Sequence, residues 1–90
     1  MKIIHWTEYL EYRAKLRNFD LAKIEDILRY STERYLDIAT ARLVAIGKHN
    51  GILVMIPYEE NNTGEITPVT IHTTSRQQIN YRLKCGRFRK

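Results

Sequence analysis

The 90-residue sequence predicts a single α+β domain, an antiparallel sheet of about four to five strands with helices packed against it. Three observations predict this fold class. Asn50-Gly51 separates two apolar runs, and both residue types accept the positive φ of a type I′ hairpin turn. Two capped amphipathic segments precede the hairpin, and a capped basic segment follows it. The predicted order of elements is β-αα-ββββ-α.

A helical hairpin is predicted near the amino terminus, after a first strand over Lys2 to Trp6. Thr7 is placed to cap the first helix, which is expected to run to about Asn18, a residue type that tolerates left-handed backbone at helix ends. Asp20 is placed to cap the second helix. Its apolar residues recur with the helical period and form one stripe: Leu21, Ile24, Ile27 and Leu28. This stripe predicts that the pair packs on a sheet.

The central strands are predicted at Arg42 to His49 and Ile52 to Glu59, preceded by a strand over Glu33 to Ile38. A two-residue turn at Asn50-Gly51 fixes which residues lie opposite each other. The expected cross-strand pairs are Leu43 with Tyr58, Ala45 with Ile56, and Gly47 with Val54. Apolar residues occupy both faces of this hairpin, so both faces are predicted to be covered.

A last strand and a last helix are predicted after the hairpin. Glu65 to Thr74 is rich in β-branched residues and is predicted to be a strand that presents His72 near its end. Ser75 and Gln78 form a capping box, in which the serine hydroxyl accepts from the Gln78 amide and the Gln78 side chain reaches back. The helix that begins there is expected to end near Gly86, because glycine favours the left-handed position after a helix.

The positive charge of the chain is concentrated at its carboxyl end. The sequence has 15 Lys and Arg against 10 Asp and Glu. Six of the cations follow Thr74, with no acid among them: Arg76, Arg82, Lys84, Arg87, Arg89 and Lys90. A localised basic end predicts an anionic partner, with nucleic acid ahead of a membrane surface. The alternative is a basic tail that only keeps the protein soluble.

Several other classes of protein find little support. The longest apolar run, Ile52 to Ile56, is far too short to span a bilayer, and no leader peptide is recognised, so a cytoplasmic protein without membrane association is expected. The single Cys85 cannot form an internal disulfide, which fits a reducing compartment. The three histidines and Cys85 lack metal-site spacing, and the glycines form no phosphate loop. Neither a metal nor a cofactor is therefore expected.

The residue types at the basic end fit metal-independent RNA cleavage. That reaction needs a base for the 2′-OH, cations for the phosphorane and an acid for the leaving 5′ oxygen. His72 titrates near neutrality and is the candidate acid or base. Arg76 is the candidate to hold phosphate, and Tyr58 to position a proton or stack a base. The further candidates for RNA binding are Arg13, Arg17, Arg82, Lys84 and Arg87.

Each of these candidates also has a purely structural interpretation. His72 is equally explained as a strand histidine bonded to a neighbour. Arg13 and Arg17 are equally explained as partners of acids on a solvated helix face. Tyr58 is explained as a half-buried residue of the sheet.

Three stretches of the chain resemble small BrnT-related proteins of the RelE-like toxin-fold family. They are residues 6–9 (Trp-Thr-Glu-Tyr) with Arg13 and Arg17, the hairpin segments 42–47 and 53–60, and residues 69–79. The resemblance implies a RelE-like fold, a prokaryotic cytoplasmic setting and a ribonuclease held inactive by a cognate antitoxin. Its expected substrate is RNA, including ribosome-bound mRNA. Many relatives have His where this chain has Tyr9.

Three hypotheses follow from the residues and the resemblance. The first is a toxin-type ribonuclease whose basic face binds RNA. The second is a non-catalytic module of the same fold that binds RNA or protein, which Tyr9 in place of the relatives' His favours. The third is a structural role, in which the basic helix docks an acidic partner or closes a homodimer through Ile79 and Leu83.

Overall fold

The structure, a computed structural model, describes residues 2–90 and has the predicted α+β class. Its helices are α1 (Glu8–Leu16), α2 (Leu21–Tyr30) and α3 (Arg76–Lys84). Its strands are β1 (Glu33–Asp37), β2 (Arg42–His49), β3 (Ile52–Glu60), β4 (Ile66–Pro68), β5 (His72–Thr73) and β6 (Phe88–Arg89). The strands form one antiparallel sheet in the order β4-β3-β2-β1-β6, with β5 paired to β3.

The helices begin where the sequence predicts. The three expected caps are confirmed by side-chain oxygens that accept backbone amides at 2.9 to 3.1 Å: Thr7 from Leu10, Asp20 from Ala22, and Ser75 from Gln78. The reciprocal half of the capping box is wrong, because Gln78 Oε1 instead accepts the Thr74 hydroxyl at 3.2 Å. Asn18, with φ of 60°, ends the first helix as expected.

The predicted hairpin register is confirmed. Asn50 and Gly51 have φ of 52° and 82°, as a type I′ turn requires. The cross-strand pairs are those expected: Leu43 with Tyr58, Ala45 with Ile56, and Gly47 with Val54. A Cβ added at Gly47 would lie 2.7 Å from Ile27, so the absence of a side chain there lets α2 lie close to the sheet.

Both faces of the sheet are covered, as the two-sided apolar pattern predicts. On one face, α1 and α2 pack on the strands through a cluster that includes Leu10, Ile24, Ile56 and Ile71. On the other face, α3 packs over a second cluster: Tyr35, Val44, Ile46, Met55, Ile79 and Phe88. The face covered by the helical hairpin of α1 and α2 is called the hairpin face, and the face covered by α3 is called the α3 face. Any group on the sheet therefore belongs to one of two separate environments.

Two predicted strands differ from those observed. The first strand, over Lys2 to Trp6, is wrong in extent, since this segment makes a single parallel bridge between Ile4 and Ile66. A continuous strand from Glu65 to Thr74 is also wrong. The segment divides into β4 and β5, with residues 69–71 between them outside the ladder.

A β-bulge divides that strand. Tyr58 lies opposite Pro68, and Met55 lies opposite His72. Three residues, 69–71, thus oppose two residues of β3 at positions 56–57. Pro68 precedes the bulge and Pro57 lies opposite it, as expected for residues that cannot donate to a ladder. Because facing residues alternate along a strand, one extra residue moves His72 from the hairpin face to the α3 face.

The last strand was not predicted. Phe88 and Arg89 form β6, which pairs with β1 and adds to a sheet larger than the four to five strands expected. The Phe88 ring stacks on Tyr35 with 5.5 Å between ring centroids. The basic end is consequently fixed in the fold.

Candidate functional site

A cleft of about 390 Å³ opens on the α3 face beside His72. It lies between the bulged strand, the first turns of α3 and the end of β1. Its polar lining consists of one carboxylate, that of Asp37, and of residues that donate hydrogen bonds: Thr40, Arg42, Thr70, His72, Thr73, Thr74, Gln78, Arg82 and Arg87. The hydroxyl oxygen of Thr70 is buried there without a hydrogen-bond partner among residues 2–90. Guanidinium, hydroxyl, amide and imidazole groups are the donors that proteins use to bind phosphate oxygens.

His72 is half-buried at this cleft. Burial lowers the pKa of His72 because it disfavours the charged form, and three nearby guanidinium groups lower it further: those of Arg13, Arg17 and Arg82. An imidazole whose pKa is below its ordinary value of about 6.5 is neutral at pH 7. His72 is therefore able to accept a proton at neutral pH.

The three arginines that act on His72 form no ion pair within residues 2–90. We call them the open arginines. Arg82 lies on α3, with its guanidinium 3.3 Å from the Met55 sulfur and 5.4 Å from the centre of the Phe88 ring. The Nε of Arg13 is buried without a hydrogen-bond partner in the described chain. These positive charges therefore remain available to an anion.

Arg13 and Arg17 come from the far side of the sheet. They lie on α1, which packs on the hairpin face through Leu10 and Ala14. Ile71, the residue before His72, belongs to the same apolar cluster as those two residues. Since β5 pairs with β3 and lies at the edge of the sheet, the α1 arginines act on His72 around this edge.

Two other predicted arginines are occupied by acids of β1, and we call them the paired arginines. Arg76 binds both carboxylate oxygens of Glu33, one of them at 3.0 Å. Arg87 binds both oxygens of Asp37 at 3.0 and 3.1 Å. Arg76 does not line the cleft, whereas Arg87 does. Both guanidinium groups thus bind a carboxylate that is distant in the sequence, so the sequence did not predict these pairs.

The two acids show how firmly these pairs are formed. The hydrogen bonds from Arg76 hold the pKa of Glu33 below its ordinary value, and burial opposes this only in part. Burial by itself would raise the pKa of Asp37, but the hydrogen bonds from Arg87 and from the Ala39 amide outweigh it and lower the pKa. Asp37 is only 4% exposed. The Asp37–Arg87 pair is therefore the more buried of the two.

Tyr58 lies apart from the cleft. It is buried on the hairpin face, where its hydroxyl accepts from Arg34 Nη1 at 3.1 Å and its ring lies under the Arg34 guanidinium. The bulge separates it from His72, because the two residues face opposite sides of the sheet. Lys84 is exposed near the end of α3 and does not line the cleft.

The remaining histidines lie elsewhere. His5 is exposed, with its Nε2 at 3.0 Å from a carboxylate oxygen of Glu65. His49 is buried, and its Nε2 accepts the backbone amide of Asp20 at 2.8 Å, next to the cap of α2. Sequence reasoning missed the cleft contributions of Arg42, Thr70 and Gln78. The sequence marked Gln78 only as part of a capping box, and no local pattern assigned any of the three to a site, because the bulge and the packing of α3 bring them together.

Residues 2–90 have neither a membrane-spanning helix nor a cluster of metal-ligand side chains. No helix in this part of the chain has the length and apolar character needed to cross a bilayer. No group of three or more His, Cys, Asp or Glu side chains within it converges as ligands for a metal ion.

Comparison of the chain with protein-family models, with curated proteins and with solved structures gave no match. The resemblance to BrnT-related proteins therefore remains a prediction.

Proposed function

We propose that this chain is a metal-independent, toxin-type ribonuclease that binds and cleaves RNA at the cleft beside His72. One observation carries the proposal: half-buried His72 lines a cleft together with the open arginine Arg82, and the charges of Arg13, Arg17 and Arg82 all act to lower its pKa. A base next to several guanidinium groups is what 2′-OH attack on a phosphodiester requires.

The reaction would proceed by one in-line displacement. The neutral imidazole of His72 takes the 2′-OH proton as the 2′ oxygen attacks phosphorus. The open arginines stabilise the additional negative charge of the phosphorane, since guanidinium groups bind phosphate oxygens bidentately. The bond to the 5′ oxygen then breaks, water protonates that oxygen, and the products are a 2′,3′-cyclic phosphate and a 5′-OH end. His72 afterwards returns its proton to solvent.

The proposal includes a RelE/BrnT-like fold. A helical hairpin on one face of an antiparallel sheet and a basic helix on the other support it. The segment ahead of α1 also adds to the sheet, because the His5 amide donates to the Ile66 carbonyl at 2.8 Å and the Ile66 amide to the Ile3 carbonyl at 2.9 Å. This extended segment stands where the predicted order has its first strand.

The proposed setting is a prokaryotic cytoplasm, with a cognate antitoxin and RNA, including ribosome-bound mRNA, as partners. A homodimer through Ile79 and Leu83 finds less support, because Ile79 is fully buried in the core of its own chain.

The second candidate function is RNA binding without cleavage. The specific observation in its favour is that His72 is the one residue lining the cleft with an ordinary pKa near neutrality. A nuclease that uses a side chain to protonate the leaving oxygen needs a second such group. Tyr9, in place of the histidine of the resembling proteins, favours the same alternative.

The deciding experiment uses purified protein and a fluorescent, unstructured RNA oligonucleotide, with binding and cleavage followed separately. We expect wild-type protein to yield 2′,3′-cyclic phosphate ends. His72→Ala should bind RNA but leave it intact. Arg82→Ala should bind about tenfold or more weakly, since a charge-assisted hydrogen bond contributes about 1.5–3 kcal/mol.

The matched control is His5→Ala, which removes an exposed histidine outside the cleft and should behave as wild type. Wild-type protein that binds RNA with the same dependence on Arg82 but never cuts it would establish the second candidate. Protein that neither binds nor cuts RNA would overturn both.

A further inference from the structure

Helix α1 carries an exposed apolar stripe that the core does not use. Tyr9, Tyr12 and Leu16 are each more than half exposed. Residues spaced three and four apart on a helix are neighbours on its surface, so the three side chains form one continuous stripe. Contiguous exposed apolar patches often mark binding sites, whereas single exposed apolar side chains are common on any protein surface.

Arg13 is a neighbour of the stripe whose charge also acts on His72. The Arg13 guanidinium lies 5.9 Å from the centre of the Tyr9 ring. Its positive charge is one of those that lower the pKa of His72, although Arg13 does not itself line the cleft. The Tyr9 ring and the His72 imidazole thus both experience the charge of Arg13.

The two flanks of the stripe differ in charge. At 100° per residue, Arg13 and Arg17 fall on one flank, while Glu8 and Glu11 fall on the other together with Lys15. A phosphate backbone would be attracted to the arginine flank in preference to the mixed one, which keeps more acids than bases. A nucleic acid strand lying on α1 would therefore place its phosphates on the arginine flank and its bases over the tyrosines.

We propose that Tyr9 and Tyr12 form a stacking subsite for two unpaired bases of an RNA strand whose phosphates lie on Arg13 and Arg17. Non-specific single-strand binding commonly combines a basic groove with aromatic rings on which successive bases stack. A duplex keeps its bases paired and stacked on each other, so it gains nothing from the rings. The subsite rests on the proposed function and gives it a preference for single-stranded substrate.

A second copy of this chain is a weaker candidate for the stripe. Three partly exposed side chains offer roughly 300–400 Å², taking about 150–250 Å² for each fully exposed ring. A stable interface buries about 800 Å² on each partner. The arginine flank also favours an anionic occupant over an identical, positively charged chain.

The test measures binding of a 2′-O-methylated RNA 12-mer, which has no 2′-OH nucleophile and is not cleaved, alone and annealed to its complement. Tyr9→Leu/Tyr12→Leu should weaken binding of the single strand at least about fivefold, the loss expected for one base–aromatic stack. Binding of the duplex should not change. Tyr9→Phe/Tyr12→Phe should keep wild-type affinity, because the rings remain.

The matched control is Tyr30→Leu, an equally exposed tyrosine on α2. It should bind both RNAs as wild type does. Solution mass is measured for every variant, so that any change of oligomeric state is seen.

Three results would overturn the subsite. If the leucine variant binds the single strand as wild type does, the rings do not stack bases, although RNA binding at the cleft stands. If single-strand and duplex affinities fall equally, stacking is again excluded. If the wild type is a dimer that the leucine variant dissolves without loss of RNA affinity, the occupant is a second copy. Failure of wild-type protein to bind either RNA would instead remove the proposed function, and the subsite with it.

Discussion

The open arginines and the paired arginines carry the same charge but meet different surroundings. Arg76 and Arg87 lie in the segment where the sequence concentrates its positive charge, yet Glu33 and Asp37 bind both of them. Arg13 and Arg17 come from a helix with acids in its first turn and nevertheless form no ion pair within residues 2–90. The number of cations in a segment is thus a poor guide to the charge it offers a ligand.

The difference matters because a guanidinium group that already binds a carboxylate through two of its nitrogens cannot bind phosphate bidentately through the same two. Binding phosphate then requires breaking two charge-assisted hydrogen bonds, and the carboxylate left behind repels the phosphate. An open arginine has neither cost. The comparison therefore predicts that the paired arginines stabilise the fold and the open arginines bind the ligand.

The largest effect on stability is expected at the buried pair. Asp37→Ala should lower the free energy of unfolding by about 1–3 kcal/mol, because it leaves the Arg87 guanidinium and the Ala39 amide without their acceptor. Urea denaturation measures this loss. The control Glu59→Ala removes an exposed partner of Arg42 and should cost at most about 0.5 kcal/mol. Equal losses for the two variants would contradict the assigned role of the Asp37–Arg87 pair.

Acid should reproduce part of that loss. The folded state holds the pKa of Asp37 below its unfolded value of about 3.9. Near that pH the folded form therefore binds fewer protons than the unfolded form does, and acid favours unfolding. The stabilisation is complete above about pH 5 and is lost as the pH falls through the folded-state pKa. Between pH 6 and pH 2 the free energy of unfolding should therefore fall more steeply for wild type than for Asp37→Ala, as urea denaturation at each pH would show.

RNA affinity should depend on the open arginines more than on the paired arginines. Arg13→Gln and Arg76→Gln each remove one positive charge. We expect about a tenfold loss of affinity for Arg13→Gln, with the salt dependence of binding reduced by about one phosphate contact. For Arg76→Gln we expect less than about a threefold loss. The comparison fails if both variants bind alike, since net charge alone would then determine affinity.

The contribution of His72 to stability should change with pH in the direction opposite to that of a histidine stabilised as the cation. Its folded-state pKa is below the ordinary value of about 6.5, so between these two values the unfolded state binds more protons. Stability should consequently rise with pH through this window and level off above about pH 7. His72→Gln should remove this slope, which thermal unfolding at pH 5 to 8 would detect. An unchanged slope would show that another group titrates there.

The smallest effect is expected at the exposed pair. Glu33→Gln should cost no more than about 1 kcal/mol, because the Arg76 side chain is 54% exposed and solvent screens the pair. The substitution also releases Arg76, so RNA affinity should rise slightly, by about twofold. Unfolding and RNA titrations on one preparation would test both effects. A fall in RNA affinity would show that the Glu33–Arg76 pair itself positions the RNA.

The local features of this fold could be predicted from the sequence. Thr7, Asp20 and Ser75 cap helices because each hydroxyl or carboxylate reaches amides two or three residues away. Asn50-Gly51 sets the hairpin register because both residues adopt positive φ. Interactions over a few residues are decided by the residues themselves. His72 was predicted as a candidate on local grounds too, as a titratable group at the end of a β-branched run, and its role stays a prediction.

The tertiary structure decided which groups meet at the cleft. One extra residue opposite positions 56–57 turns His72 to the α3 face, away from Tyr58, because side chains alternate between faces along a strand. The ion pairs Arg76–Glu33 and Arg87–Asp37 join residues 43 and 50 positions apart, so no local pattern reveals them. Chain composition fixed how many arginines there are, and packing fixed which of them are open, because a guanidinium binds whichever carboxylate the fold brings beside it.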